Sequence, residues 1–173
     1  MDSGPAAFQV MVADVEYPVF VVTAATLDSV AGCLVGFTTQ CSIEPLRMLV
    51  CLSKSNFTWE VAQRAPTLAV HLLRPDQHEI AEHFGGVSSR DQPNKMDRWP
   101  WRAGPDGVPI LDDCDWFAGR VLSRTDLGDH TGLVVEPTHG HVDLGRRGQL
   151  GYGGVDDIEA GQPAGTPDAD SPG

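Results

Sequence analysis

The apolar residues of this chain arrive in short pieces. "PVFVVTA" (18–24), "VAGCLVGFTTQCSI" (30–43), "LRMLVCL" (46–52), "TLAVHLL" (67–73), "WFAGRVLSR" (116–124) and "HTGLVVEP" (130–137) are separated by Gly, Pro, Asp and Ser turns. They are rich in Val, Thr and aromatic residues, the types that fit a pleated and buried surface, so each reads as one strand. None approaches the ~20 apolar residues needed to cross a bilayer as a helix. Helical spacing is confined to three places: Phe8, Met11, Val12 and Val15; the stretch Thr58 to Arg64; and a segment opened by Pro75-Asp76 with Ile80, Ala81 and Phe84 on one face. Strands of this length, with so few helices between them, predict a mainly β fold closed into a barrel of mostly antiparallel pairs. "QLGYGG" at 149–154 is expected to add a last short strand.

At 173 residues, 41% of them hydrophobic, the chain suits one domain. We place that domain at 1–152. Residues 153–173 combine Pro, Gly and Ala with five acids and no base, a composition that buries too little surface to offset its ordering entropy and predicts a disordered tail. Of the formal charge of −12, the five acids leave −7 on the body. Phosphate neutralisation needs clustered Lys and Arg, so this balance argues against nucleic acid or an anionic membrane as partner. Only two lysines occur, Lys54 and Lys95. The N-terminus "MDSGPAAFQV" has neither a basic leader nor an apolar core, and a cytoplasmic location is expected. Cys33, Cys41, Cys51 and Cys114 lack C-x-x-C spacing, and three lie in apolar segments, so free buried thiols are expected rather than disulfides or zinc ligands.

Chemistry concentrates after the third strand. "VCLSKSNFTWEVA" (50–62) switches from a greasy run to Ser53, Lys54, Ser55, Asn56 and Thr58 where a helix is about to begin. Two readings stay open. Hydroxyls, the Asn56 amide, the Lys54 ammonium and backbone N–H groups can cradle one phosphate, or Ser55 or Asn56 simply caps the helix while Lys54 points to water. A second polar cluster, "GFTTQCS" (36–42), also follows a strand, and two polar rims at one barrel end imply an elongated ligand, phosphate at one end and a flat hydrogen-bonding head at the other. "GDHTG" (128–132) sends His130 to the start of a strand, where an imidazole can contact a nucleotide or move a proton near neutral pH.

Other motifs lose their force on inspection. His78 and His83 of "HEIAEH" stand five apart, off the shared helix face that a zinc protease needs. "HGH" (139–141) reads as a solvated edge rather than a metal site, and no metal is expected. No dinucleotide fingerprint, phosphate-binding GxxxxGK[ST] loop or Ser/Cys nucleophile motif is present. From Gly85 to Asp113 no period is sustained, and a loop of that length is usually functional or mobile. Its "RWPWR" tryptophans read as anchors to the barrel in preference to a cap over a planar ligand.

From about Pro18 to Tyr152, the order of "PVFVVTA", "GFTTQCSIEP", "LVCLSKSNFTWE", "IAEHFGG", "GVPILDD" and "GDHTGLVV" resembles the flavin reductase-like family of FMN-binding split barrels. The resemblance implies a Greek-key split β-barrel, a homodimer with FMN or FAD at its interface, and NADH or NADPH as co-substrate. It implies that Phe37, Thr38, Thr39 and Gln40 approach the isoalloxazine or ribityl chain. Ser53, Lys54, Ser55, Asn56 and Thr58 would hold the phosphate, and His130 would lie on the nicotinamide side as the catalytic group. Lys95 and Arg147 match further basic positions of the family's cofactor site. Val35-Gly36 stands where the family often has Asn-Ser, and Cys41 where a second serine is usual, so part of the ring's hydrogen bonding must come from backbone or be missing. The implied reaction is hydride transfer from nicotinamide C4 to flavin N5, reduced flavin then leaving for a monooxygenase. Alternatives are a flavin-bound oxidoreductase with another substrate, for which the 85–113 loop would set specificity, and a flavin- or haem-binding carrier without turnover.

Overall fold

Val35 ends one edge strand of the sheet and Thr38 begins the strand at the opposite edge, so only Gly36 and Phe37 join the two edges. Three peptide steps reach at most about 11 Å. The sheet must therefore curl until its edges meet. This computed structural model describes residues 3–146 and 148–161. Its strands are β1 (Phe20–Ala25), β2 (Val30–Val35), β3 (Thr38–Ser42), β4 (Arg47–Ser53), β5 (Thr67–Leu72), β6 (Trp101–Ala103), β7 (Pro109–Leu111), β8 (Asp115–Asp126) and β9 (His130–His141). Seven of them pair antiparallel in the order β2-β1-β5-β8-β9-β4-β3, and β6 and β7 form a separate hairpin. Helices are few and short: α1 (Gly4–Ala13), α2 (Phe57–Ala62) and α3 (His78–Gly86).

The curl places Val22 and Ala24 of β1, Cys33 and Val35 of β2, Val50 and Leu52 of β4, Leu68 and Val70 of β5, and Leu133 and Val135 of β9 in one buried cluster. Helix α2 adds Val61 and Ala62 to it. The alternate residues of β1 and β5 face outward but are buried too. Val21 packs with Leu73, Ile80, Phe84, Met96 and Leu111 under α3, and Ala69 packs with Val108, Ile110 and Ala118. Burial on both faces is why these strands read as continuous apolar runs rather than alternating ones. His71 of β5 is fully buried in the outer layer and ties three segments together: its Nδ1–H donates to Val21 O at 3.0 Å, and its Nε2 accepts from Leu111 N at 3.0 Å.

Several expectations are corrected. "VAGCLVGFTTQCSI" is two strands, because the chain changes edges at Gly36-Phe37 and Phe37 O accepts from Cys51 N at 2.9 Å. The 85–113 stretch is structured: a 3-10 turn at Lys95–Arg98 precedes the β6–β7 hairpin. Asp106 and Gly107 at its tip adopt φ of 53° and 75°, left-handed values that Asp and Gly tolerate best. Trp99 and Trp101 pack against the outer cluster, as anchors. "QLGYGG" forms no strand, only an isolated bridge from Gly151 to Pro18 and a 3-10 turn at Tyr152–Gly154. Cys41 is exposed rather than buried, while all four cysteines are free. Packing continues past Tyr152, with Val155 buried and Gly161 N donating to Gly85 O at 3.1 Å. The remainder of the acidic segment, 162–173, lies outside the described residues. Among the described residues no helix is long and apolar enough to cross a membrane.

Candidate functional site

The last residue of β4, Ser53, pairs in register with the first residue of β9, His130, and Lys54 N donates to Asp129 O at 2.9 Å. The polar stretch after β4 and the "GDHTG" turn thus share one rim. Within the stretch, Ser53 Oγ and Ser55 Oγ stand 2.9 Å apart, and Asn56 caps α2 by accepting from Thr58 N at 3.0 Å. Capping and a polar cradle therefore coexist. Thr58 is fully buried, and its Oγ1 has at most the weak Cys33 thiol for a partner. Lys54 does not point freely to water: its Nζ lies 2.8 Å from Asp126 Oδ2, which holds that carboxyl below its usual range.

A residue that sequence reasoning missed completes the rim. Arg90, from the stretch after α3, donates through Nη1 to Ser55 O at 2.6 Å and pairs through Nη2 with Glu60 of α2. No local signal marks it, since it lies in an aperiodic segment 35 residues along the chain from its partner.

Beside the rim opens a groove of about 830 Å³. Phe8 and Val12 of α1 form one wall, and Thr38, Leu49, Cys51 and His130 contribute to the others. A smaller cleft of about 130 Å³ shares Phe37, Cys51 and Tyr152 with the groove and reaches Ser53 and Asn56. The two adjoin at these shared residues, the groove apolar toward α1 and the cleft more polar toward Ser53. The ring of Tyr152 lies so close to Gly36 that a Cβ there would stand 2.9 Å from it. Sequence reasoning passed over Tyr152 because it arrives from the far end of the chain, its N–H donating to Tyr17 O at 2.7 Å.

His130 is 17% exposed in its side chain, with its ring centroid 5.3 Å from that of Phe37 and its Nδ1 2.8 Å from Asp129 Oδ1. That contact holds the Asp129 carboxyl below its ordinary range. Thr38 and Thr39 line the groove, and Thr38 Oγ1 is buried without a partner. Gln40 lines neither depression, its amide folded back onto Ser42 O at 3.1 Å.

Lys54, Ser55 and Thr58 of the rim are absent from both linings, and so is Lys95. It is 3% exposed, and its Nζ donates to Phe84 O near the C-terminal end of α3 at 3.0 Å, with the Phe84 ring centroid 5.4 Å away. Helix ends leave carbonyls unpaired and carry partial negative charge, so a buried ammonium finds its acceptor there. Burial nevertheless pushes its pKa down to about 8. Arg147 lies outside the described residues.

A family model described as "Flavin reductase like domain" matches residues 12–158. The chain belongs to that family. This flavin reductase-like domain is 31% identical over 122 residues to the protein named "Probable flavin reductase" of Rhizobium meliloti (strain 1021), an alignment covering 68% of this chain but 38% of that protein. It is 26% identical over 119 residues to the 4-hydroxyphenylacetate 3-monooxygenase reductase component of Pseudomonas aeruginosa, covering 66% of this chain and 70% of that one. The crystal structure of a flavin reductase domain protein from Arthrobacter sp. FB24 superposes with a TM-score of 0.75 at 22% identity, covering 96% of this chain and 98% of that one. At that identity the superposition establishes the fold, a mainly antiparallel split barrel.

The residues of this domain fit a flavin nucleotide on their own terms. The groove has the volume of small-molecule and cofactor sites, about 300–1,000 Å³. It offers apolar walls for a ring, with Thr38 in its lining, and the adjoining cleft is lined by Ser53 and Asn56. Gly36, in the lining of the cleft, lets the Tyr152 ring lie against the backbone where the two cavities meet.

Proposed function

We infer that this chain is an NAD(P)H-dependent flavin reductase acting on FMN or FAD. One observation carries the reading: in a flavin reductase-like chain, the apolar groove beside His130 adjoins the cleft at Ser53 and Asn56, sharing Phe37, Cys51 and Tyr152 with it. Ser53, Lys54, Ser55, Asn56 and Thr58, joined by Arg90, hold the phosphate end through hydroxyl, amide and charged donors. Phe37, Thr38 and Thr39 face the ring or ribityl chain, where the buried Thr38 hydroxyl gains a partner. Gln40 joins them only by releasing Ser42 O. Lys95, whose ammonium is held by Phe84 O, is not assigned to the cofactor.

A bound flavin supplies a ring that takes up hydride from reduced nicotinamide. The chain's share of the work is positioning. His130, fixed between Asp129 and Phe37, orients the nicotinamide over the groove, and the walls from α1 and β3 exclude water.

A second copy of the chain completes the groove in this reading. Helix α1 buries none of its own residues, and Phe8, Met11, Phe37, Ile43 and Leu46 are exposed apolar side chains on or near the groove's flank. The named role of the Pseudomonas relative as a monooxygenase reductase component supports an oxygenase as recipient of the reduced flavin. A cytoplasmic location fits a protein that draws on the nicotinamide pool.

The test is to purify the chain and follow NADH and NADPH oxidation with FMN and with FAD. Oxidation that scales with free flavin supports the reductase. Tight flavin without nicotinamide oxidation would instead make the chain a carrier.

A further inference from the structure

Among the described residues, the two cations at the phosphate end of the site, Lys54 and Arg90, each already have a carboxylate of their own. Lys54 Nζ contacts Asp126 Oδ2 at 2.8 Å, and Arg90 pairs with Glu60 while donating to Ser55 O. A third carboxylate, Asp129, faces His130 and follows closely on Asp126 in the same turn. The two cations of this rim are therefore matched or outnumbered by acids before any ligand arrives. A site built to retain a phosphate monoester, which carries close to two negative charges at neutral pH, is expected to present uncompensated cations or a ring of donors. This one has hydroxyl and amide donors, but its cations are ion-paired.

The two carboxylates come from elements that have no need of them for packing. Asp126 is 76% exposed in its side chain, at the end of β8, and Glu60 is half-exposed on the outer face of α2. Exposed ion pairs contribute little to stability, so neither is required to hold the fold. Their consequence falls on the ligand: a phosphate entering between Ser53, Ser55 and Arg90 must displace or sit beside both acids.

We propose that Asp126 and Glu60 are affinity-setting residues that hold the phosphate grip of this site down, so that flavin exchanges with solution as a substrate instead of staying as a resident group. The proposal rests on the flavin reading of the site and deepens it. Reduced flavin can leave for a partner only if the site releases it, and a cradle with its charge already compensated releases an anion readily. The same pairs narrow the preference for FMN over riboflavin, because each carboxylate offsets part of the attraction that its cation exerts on the phosphate.

The experiment titrates the full chain, freed of flavin, with FMN and with riboflavin, following flavin fluorescence at low and high salt. Wild type, Asp126→Asn, Glu60→Gln and the double variant are compared. The Asp126→Asn change keeps a carbonyl oxygen for Gly128 N, which donates to Asp126 Oδ1 at 2.9 Å, so the turn is preserved. Removing one neighbouring negative charge should tighten FMN by about tenfold per variant, with the gain shrinking at high salt, while riboflavin shifts less than about twofold. The double variant should also retain FMN through gel filtration where wild type loses it. FMN affinity unchanged in both variants, or riboflavin tightening in parallel, overturns the proposal while leaving the flavin reading standing. Failure of wild type to bind either flavin removes that reading and the proposal together. The carboxylates lie on separate elements, so a fold defect in one variant leaves the other to decide.

Discussion

Ser53 and His130 are direct register partners, the last residue of β4 against the first of β9, so a polar loop and an imidazole that are 77 positions apart in the chain share one rim. The pairing fixes their separation through backbone hydrogen bonds rather than flexible side chains. In the proposed function, this pairing is what joins the phosphate end and the nicotinamide side in a single site.

His130→Ala should therefore affect the nicotinamide more than the flavin. We expect kcat/KM for NADH or NADPH to fall about tenfold, with FMN affinity within about twofold of wild type, because Ser53 and Ser55 stay in place. Steady-state kinetics at varied nicotinamide, beside a flavin titration, checks it. Loss of FMN affinity alone would place His130 at the wrong end of the ligand.

Arg90→Ala and Lys54→Ala should both weaken FMN, and Arg90→Ala more. Arg90 is pre-positioned by its bond to Ser55 O, whereas Lys54 is partly exposed and engaged with Asp126. A charge-assisted contact to phosphate predicts a loss of about tenfold for Arg90→Ala and a few-fold for Lys54→Ala. Neither change should move riboflavin. Equal effects on both flavins would show that the loop had been disturbed instead.

Gly36→Ala probes the junction of groove and cleft. Its Cβ would meet the Tyr152 ring at 2.9 Å, but Tyr152 is half-exposed and can turn outward. Stability should change by less than about 1 kcal/mol. Flavin affinity should drop several-fold, because the displaced ring alters the shared wall. A thermal melt paired with an FMN titration separates the two effects.

His71 predicts an acid-side loss of stability. Burial lowers its pKa from 6.5 to about 4, and both ring nitrogens are already engaged, with Val21 O and Leu111 N. The unfolded chain takes up a proton at this position near pH 6.5 while the folded chain resists until about pH 4. The contribution is complete above pH 6.5 and is lost as pH falls through that window, by up to about 3 kcal/mol. Denaturant titrations from pH 7 to 4 should show the slope. His71→Leu should lack that component and start lower, because Val21 O and Leu111 N lose their shared partner.

How far the fold could be read from the residues depended on whether the deciding contact was local. The strands of the barrel announce themselves because β1 and β5 are buried along most of their length, while β4 and the first half of β9 carry Val and Leu runs into the core. The cradle was legible because Ser53, Ser55 and Asn56 adjoin in sequence. The break between β2 and β3 was hidden because Thr38 and Thr39 are themselves good strand formers, and only closure of the sheet requires a change of edge there. The β6–β7 hairpin carried an Asp-Gly turn signal, but its arms of three residues each are too short to show alternation. Arg90 and Tyr152 reach the site from distant parts of the chain, and nothing in their own neighbourhoods marks them; Glu60 and Asp126 adjoin the two polar stretches, but only the fold pairs them with Arg90 and Lys54.

Lys95 separates resemblance from structure most sharply. If the ammonium served the cofactor, Lys95→Met would lower flavin affinity. Its burial under α3 and its bond to Phe84 O predict instead that flavin affinity stays within about twofold. The signature belongs in stability. With the folded pKa lowered to about 8 and the unfolded value near 10.5, both states are charged below pH 8, and the folded state bears the whole penalty of a buried ammonium there. Between pH 8 and 10.5 the folded chain releases the proton while the unfolded chain keeps it, so unfolding free energy from this group rises with pH, by up to about 3 kcal/mol. Lys95→Met should abolish that rise and leave Phe84 O short of a donor, a cost that offsets part of the gain from removing the charge. Urea titrations of both proteins at pH 7.5 and pH 10, with FMN titrations at pH 7.5, decide between a cofactor ligand and a buried cap of α3.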